Sequence, residues 1–355
     1  MHSRIQAIQT ALPSGSALLV KSEPNRFYLT GFRSSDGFLL ISRDRAAFYT
    51  DSRYIEAARA AIEHLAVSLS TAPLTHIREW LAVENIGTLY IEADATTVRS
   101  LAALRKALAE VVVSEEDTFD RLIADARSIK SPAELAAMRR AQEMTDDTFA
   151  YITERIAAGR TERDVMLDME MYMRRLGSEG VAFNFVVVSG KNSSLPHGVP
   201  TDKVIERGDF VTMDFGAVVN GYRSDMTRTV AVGTINDEQR RVYDTVLEAQ
   251  TAALAAIRAG VVCKDVDKVA RDLIAQAGYG DCFGHALGHS VGIAVHEAPM
   301  LSTRCDTVLK AGTMMTVEPG IYLEGKFGVR IEDMVLITED GYENFTKSPK
   351  NLLIL

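Results

Sequence analysis

Phe210-Val211-Thr212-Met213-Asp214-Phe215-Gly216 runs through Ala217-Val218-Val219 to Asn220-Gly221 and returns as Tyr222-Arg223-Ser224-Asp225-Met226-Thr227. Asn-Gly between two strand-like runs is a strong signal for a two-residue hairpin turn. Such a turn sets the register. Asp214 comes opposite Thr227, and Asp225 opposite Gly216. Side chains alternate faces along a strand, so Asp214 and Asp225 share one face as diagonal neighbours. Two carboxylates on one face of apolar strands are costly unless something positive lies between them.

Downstream, the same chemistry repeats. Thr316-Val317-Glu318-Pro319-Gly320 and Val329-Arg330-Ile331-Glu332-Asp333 read T-x-E-x-G and R-x-E, against T-x-D-x-G and R-x-D in the first pair. Two helical patterns precede each pair. The first two open at Ser131-Pro132-Ala133-Glu134, a capping box with proline at the first helical position, and at Thr161 with Asp164. They stop near Gly159 and Gly177. The second two cover about 237–259 and 264–277. This is an internal duplication, and a pseudo-two-fold axis would bring both acidic pairs to one centre. Residues 126–355 form that duplicated unit.

Residues 1–125 read differently. Short apolar runs at Ala17–Val20, Phe38–Ile41, Ala47–Tyr49 and Leu89–Ile91 alternate with helical patterns at Tyr54–Ile62, Ile77–Val83 and Val98–Leu108. That alternation predicts an α/β domain. A chain of 355 residues accommodates two domains at ~150 residues each. The 39 Lys+Arg against 48 Asp+Glu give a formal charge of -9, which argues against a nucleic-acid partner. No apolar run approaches the ~18 residues of a membrane span. Gln6, Gln9 and Pro13 interrupt any signal-type apolar core near the N-terminus. Three cysteines without a CxxC pair fit a reducing compartment, so the expected location is the cytoplasm.

Four carboxylates at one half-buried centre call for cations. A histidine would complete such a site. The glycine-rich segment Gly284-His285-Ala286-Leu287-Gly288-His289-Ser290-Val291-Gly292 and the following Val295-His296-Glu297 supply candidates. His285-x-x-x-His289 is not a zincin helix, because the glutamate after the first histidine is absent and Gly288 and Gly292 disfavour a helix. A site rich in carboxylate with one histidine favours Mn²⁺, Co²⁺ or Fe²⁺ over structural Zn²⁺. Two bridging carboxylates would hold two ions ~3.5–4 Å apart, an arrangement that activates water near neutral pH.

These residues resemble the pita-bread metallopeptidases: Xaa-Pro aminopeptidases, Xaa-Pro dipeptidases (prolidases) and methionine aminopeptidases. The resemblance covers residues 126–355 and reaches the first domain through Asn25-Arg26-Phe27-Tyr28-Leu29-Thr30-Gly31-Phe32 and Thr50-Asp51-Ser52-Arg53-Tyr54. It implies a creatinase-like α/β N-terminal domain ahead of an α+β pita-bread catalytic domain. It implies Asp214, Asp225, His289, Glu318 and Glu332 as ligands of two divalent metal ions, manganese first, with cobalt, iron or zinc as alternatives. Asp225 and Glu332 would bridge; His289 and Glu318 would hold one ion and Asp214 the other. Glu318 would also be the general base. His197, in Leu195-Pro196-His197-Gly198, would contact substrate near the scissile carbonyl, and His296 would stabilise the tetrahedral intermediate. His285, Tyr322, Arg330 and Phe183 would line or brace the substrate site, with Phe183 as an aromatic wall for proline.

The additional N-terminal domain favours the proline-specific branch over methionine aminopeptidases, and the complete ligand set argues against creatinases. One position departs from the pattern. Prolidases carry an arginine after the proline of His-Glu-x-Pro, where it binds the dipeptide carboxylate; here Met300 follows Pro299. Methionine cannot donate to a carboxylate. The expected activity is therefore that of an Xaa-Pro aminopeptidase on proline-containing peptides, with Xaa-Pro dipeptidase as the alternative reading. A non-proline amide hydrolase and a peptide-binding pseudoenzyme stand behind these. The resemblance also implies a homodimer.

Overall fold

Asn220 and Gly221 both take left-handed backbone angles, φ 47° and 78°, as a two-residue turn of this hand requires. The hairpin register follows from them. A computed structural model describes all 355 residues, Met1–Leu355. Contacts divide it into two units, Met1–Arg127 and Ser128–Leu355. The division lies just beyond the expected boundary at 125, because the helix Thr118–Ser128 runs across that point.

The first unit contains α1 (His2–Ala11), β1 (Ser16–Val20), α2 (Glu23–Thr30), β2 (Phe38–Ser42), β3 (Ala46–Thr50) and α3 (Ile55–Ala61). There follow β4 (Ala66–Leu69), α4 (Pro73–Val83), β5 (Thr88–Ile91), α5 (Val98–Ala107), β6 (Val112–Ser114) and α6 (Thr118–Ser128). The strands form one mixed sheet in the order β4-β3-β2-β1-β5-β6. Leu19, Leu40, Ile77, Trp80 and Leu89 are among the residues of its core. The sequence pattern did not disclose α1, α2, α6, β4 or β6. α1, α2, β4 and β6 are short or weakly amphipathic, and tertiary packing specifies them; α6 does carry an apolar face, with Phe119 and Ile123 buried.

The second unit opens with α7 (Pro132–Thr153) and α8 (Glu162–Arg175), each capped by the expected box. α7 ends at Thr153 rather than near Gly159; the chain leaves the helix and buries Ile156 in the core. Then come β7 (Val186–Ser189), β8 (Phe210–Phe215), β9 (Val218–Val219), β10 (Tyr222–Arg223) and β11 (Met226–Ala231). The ladder pairs Asp214 with Thr227 and Arg223 with Val218, the register set by the turn. The strand-like run from Phe183 to Ser189 forms a ladder only from Val186, so Phe183 lies ahead of β7.

The second half repeats the pattern with α9 (Asp237–Ala256), α10 (Cys263–Gln276), β12 (Gly288–Ser290), β13 (Glu297–Leu301) and β14 (Met314–Val317). It closes with β15 (Gly320–Leu323), β16 (Phe327–Arg330), β17 (Asp333–Ile337) and β18 (Tyr342–Asn344). The expected second strand pair is split into two ladders, β14 on β17 and β15 on β16. Glu318 and Glu332 occupy the gap. Val317 pairs with Asp333 and Gly320 with Arg330, so the common register sets Glu318 directly opposite Glu332. In the first half the acids are diagonal, in the second they face each other.

Each half has its own core. Met144, Met169, Met213 and Phe215 belong to the first, and Val246, Val266, Met315 and Ile331 to the second. The catalytic-type acids lie on β8, at the start of β11, and in the β14–β15 and β16–β17 gaps. This is the pita-bread fold.

Candidate active site

The β8–β11 and β14–β17 strands place their acids around one cavity of about 730 Å³. Asp214, Asp225, His289, Glu318 and Glu332 all line it. Asp225, His289 and Glu332 are buried, and each offers a ligand atom within 4.8 Å of the others. His289 Nε2 is 3.7 Å from Asp225 Oδ2 and 3.2 Å from Glu318 Oε1. His289 Nδ1 lies 3.0 Å from the Ser290 carbonyl oxygen. A carbonyl only accepts, so Nδ1 carries a proton and the neutral ring would present Nε2 as a lone-pair donor toward the acids. Gly288 permits this placement: a Cβ there would fall 2.0 Å from the Thr316 carbonyl oxygen.

Asp214 uses Oδ2 to accept from Arg330 Nη2 at 2.7 Å, while its Oδ1 is buried without a hydrogen-bond partner. An orphaned carboxylate oxygen facing three further acids fits a cation. The electrostatics agree. Burial, then Glu332, pushes Asp225 well above the usual carboxylate range; burial, then Glu318, does the same to Glu332. Burial also raises Glu318, but the His289 hydrogen bond and the nearby charges of His289, His285 and Arg330 together outweigh it and the net shift is downward. Without added positive charge the cluster cannot ionise fully. These donors could hold divalent metal.

Threonines fasten the acids. Thr227 Oγ1 donates to Glu332 Oε2 at 2.8 Å, and Thr316 Oγ1 to Glu318 Oε1 at 3.1 Å. Thr316 belongs to the repeated T-x-D/E motif, so that signal was present in the sequence.

His197 and His296 line the cavity, and the His296 ring stands edge-on to His289 at 4.4 Å between centroids. Burial, then proximity to His289, lowers the His296 pKa from its ordinary value and so favours the neutral ring. Phe183 also lines the cavity. Arg330 and His285 line it as well, and with Tyr322 they are engaged with one another. Arg330 Nη1 donates to the Tyr322 oxygen at 2.8 Å, and Tyr322 lies 2.9 Å from His285 Nε2. His285 Nδ1 points at the Ala286 carbonyl, 2.8 Å away, so Nε2 accepts and Tyr322 donates. Burial keeps His285 below its ordinary pKa, consistent with this neutral form. Tyr322 and Arg330 thus brace Asp214, the second of the two roles, lining or bracing, expected of them. Their polar atoms are already used.

Sequence reasoning missed three supports. Asp267 and Arg271 pair on α10, and Arg271 donates to the Phe283 and His285 carbonyls. Arg228 and Asp333 form a buried pair at 2.7 Å behind Glu332. Glu162, at the head of α8, binds the loop that carries His197. None has a local signal, since each acts on residues distant in sequence.

The pattern of metallopeptidase family M24 matches residues 136–339, and that of the creatinase/prolidase N-terminal domain matches residues 4–129. The chain is 39% identical over 360 residues to an Xaa-Pro dipeptidase of Pyrococcus furiosus, covering 99% of this chain and all of that one. An Xaa-Pro dipeptidase structure from Bacillus anthracis superposes with a TM-score of 0.94 at 39% identity, covering 99% of each chain. An X-Pro aminopeptidase structure from Thermotoga maritima MSB8 gives 0.92 at 35%, covering 100% of this chain and 99% of that one. No helix is long and apolar enough to cross a membrane. With five ligand-type side chains converging between the duplicated halves, and with likeness along its whole length, this chain belongs to metallopeptidase family M24 and carries that family's creatinase/prolidase N-terminal domain.

Proposed function

We propose that the chain is an Xaa-Pro dipeptidase, hydrolysing the bond between an amino-terminal residue and a carboxy-terminal proline. The carrying observation is its full-length likeness to proteins named Xaa-Pro dipeptidase, over a cavity in which all five ligand-type residues converge. This reverses the order of readings drawn from Met300, which favoured the aminopeptidase. Met300 does lie on the cavity wall and cannot bind a carboxylate. Arg163 lies on the same wall and pairs with the exposed Asp202, so a second guanidinium is available there.

In this reading Asp225 and Glu332, with His289, Glu318 and Asp214, would hold two divalent ions, manganese by preference. His289 would offer Nε2, Glu318 its carboxylate, and Asp214 its free Oδ1. Such ions supply Lewis-acid polarisation of the carbonyl and a nucleophile from water at neutral pH. Glu318 accepts the proton that the attacking water releases. Neutral His296 donates to the developing oxyanion. His197 orients the peptide, and Phe183 forms an apolar wall for the proline ring. The sparse, unpaired cysteines support a cytoplasmic setting, and a homodimer completes the reading.

The test is hydrolysis of Xaa-Pro against Xaa-Pro-Xaa peptides by metal-stripped protein reloaded with Mn²⁺, Co²⁺ or Zn²⁺. Preferential dipeptide turnover is expected. Tripeptide turnover alone would restore the aminopeptidase reading and make Met300 its reason. Asp225→Asn should lose bound metal and activity together; a fully active variant would refute the ligand assignment.

A further inference from the structure

His197 belongs to a loop, residues 190–200, that one carboxylate fastens at both ends. Glu162 is fully buried at the head of α8. Its Oε1 accepts from the Ser189 N–H at 2.6 Å, the Ser189 hydroxyl at 2.9 Å and Asn192 Nδ2 at 3.1 Å. Its Oε2 accepts from the Thr201 N–H at 3.0 Å, the Thr201 hydroxyl at 2.7 Å and Asn192 Nδ2 at 3.3 Å. One oxygen holds the entrance of the loop and the other the exit. All these donors are neutral, so the carboxylate charge strengthens each bond.

Backbone contacts extend the fastening. Arg163 N–H donates to the Thr201 carbonyl at 3.0 Å and Glu162 N–H to the Lys203 carbonyl at 3.1 Å. Inside the loop, Leu195 N–H reaches the Asn192 carbonyl and Gly198 N–H the Leu195 carbonyl, each at 3.0 Å. His197 emerges from this closed turn, exposed to the cavity. Arg330 Nη1 reaches the Pro196 carbonyl at 3.2 Å, which ties the loop tip to the guanidinium that holds Asp214. The alternatives for Glu162 are poor. A neutral amide there would turn donors toward donors, and an apolar residue would leave buried N–H and O–H groups unsatisfied.

We propose that Glu162 is a positioning residue for hydrolysis: its carboxylate closes the 190–200 loop and so holds His197 in place against the substrate. The proposal rests on the reading of His197 as a substrate-contacting residue. Misplacing a reacting group by about 1 Å can cost about 100-fold in rate.

The experiment is a double-mutant cycle on metal-loaded full-length protein with an Xaa-Pro dipeptide, comparing wild type, Glu162→Gln, His197→Ala and the double variant. Metal content is measured in each. Glu162→Gln is expected to keep its metal and lower kcat about 10- to 100-fold, with KM changing much less. In the His197→Ala background the same change should cost less than about twofold, because the residue it serves is gone. Equal losses in both backgrounds would overturn the proposal, as would wild-type kcat in Glu162→Gln. Wild-type kcat in His197→Ala would instead overturn the reading of His197, and the inference with it. Should Glu162→Gln fail to fold, Thr201→Val removes one hydroxyl at the loop exit. It should give a smaller kcat loss that again vanishes beside His197→Ala, and persistence of that loss would overturn the proposal.

Discussion

Asp214, Asp225, His289, Glu318 and Glu332 were legible because their chemistry is anomalous where they occur: carboxylates inside apolar strands need a partner. Glu162 and Arg228 were not. Glu162 follows Thr161 in a capping box and reads as ordinary first-turn charge. Arg228 alternates with Thr227 and Thr229 and reads as an outward side chain, yet it is fully buried. Charge in a sequence signals a site only when its partners are near in the chain. The cysteines give a prediction of the same kind. Cys263 is fully buried, and burial, then Cys305, pushes its thiol up to about 12. Cys305 is partly exposed; burial raises it, but hydrogen bonds with Thr307, Met300 and Cys263 together outweigh that and the net shift is downward. A thiol reacts as thiolate, so iodoacetamide at pH 8 should label Cys305 and spare Cys263 in native protein. Mass spectrometry reads this directly; equal labelling would show that the α10 terminus opens in solution.

The hairpin and its copy show what strand patterns convey. The Asn220-Gly221 turn and period-2 alternation gave the register of β8 on β11 correctly, because that register depends on local geometry. The copy was harder to read. Its connection is three residues longer, and the hairpin between its acids, β15–β16, pairs four residues per strand where β9–β10 pairs two. Gly221→Val should therefore cost about 1–2 kcal/mol, the penalty of a left-handed angle for a residue bearing Cβ, and lower the melting temperature by a few degrees. An unchanged melting curve would mean that the turn adopts another form. The supports behind β17 matter more. Arg228 Nη2 pairs with Asp333 Oδ1, Nη1 donates to the Glu332 carbonyl, and Lys350, Gln250 and Asn344 all donate to Asp333 Oδ2. Arg228→Met removes the larger cation from a buried pair and should destabilise the metal-stripped protein by about 3 kcal/mol. A denaturant midpoint equal to wild type would show that Lys350 alone neutralises Asp333.

The two units differ in what holds them. Met1–Arg127 is a mixed sheet with its own apolar core, and the alternation of short runs in the sequence gave its class though not its marginal elements. Ser128–Leu355 has two half-cores, with mutually repulsive carboxylates between them. Divalent metal would relieve that repulsion and bind only the folded catalytic unit. At a free concentration ~100 times its dissociation constant, it adds about 2.7 kcal/mol to that unit alone. For a unit of this size the increment corresponds to on the order of 5–10 °C in melting temperature. The molecule contains a convenient reporter of the other unit. Its single tryptophan, Trp80, lies buried in the N-terminal core. Chelation should therefore leave the Trp80 fluorescence transition in place while lowering the transition seen by far-UV circular dichroism, which reports both units. Manganese returned in excess should reverse the shift. A Trp80 midpoint that moves with the dichroism midpoint would show that the units unfold as one. The electrostatic strain at the metal centre would then be shared by the whole chain.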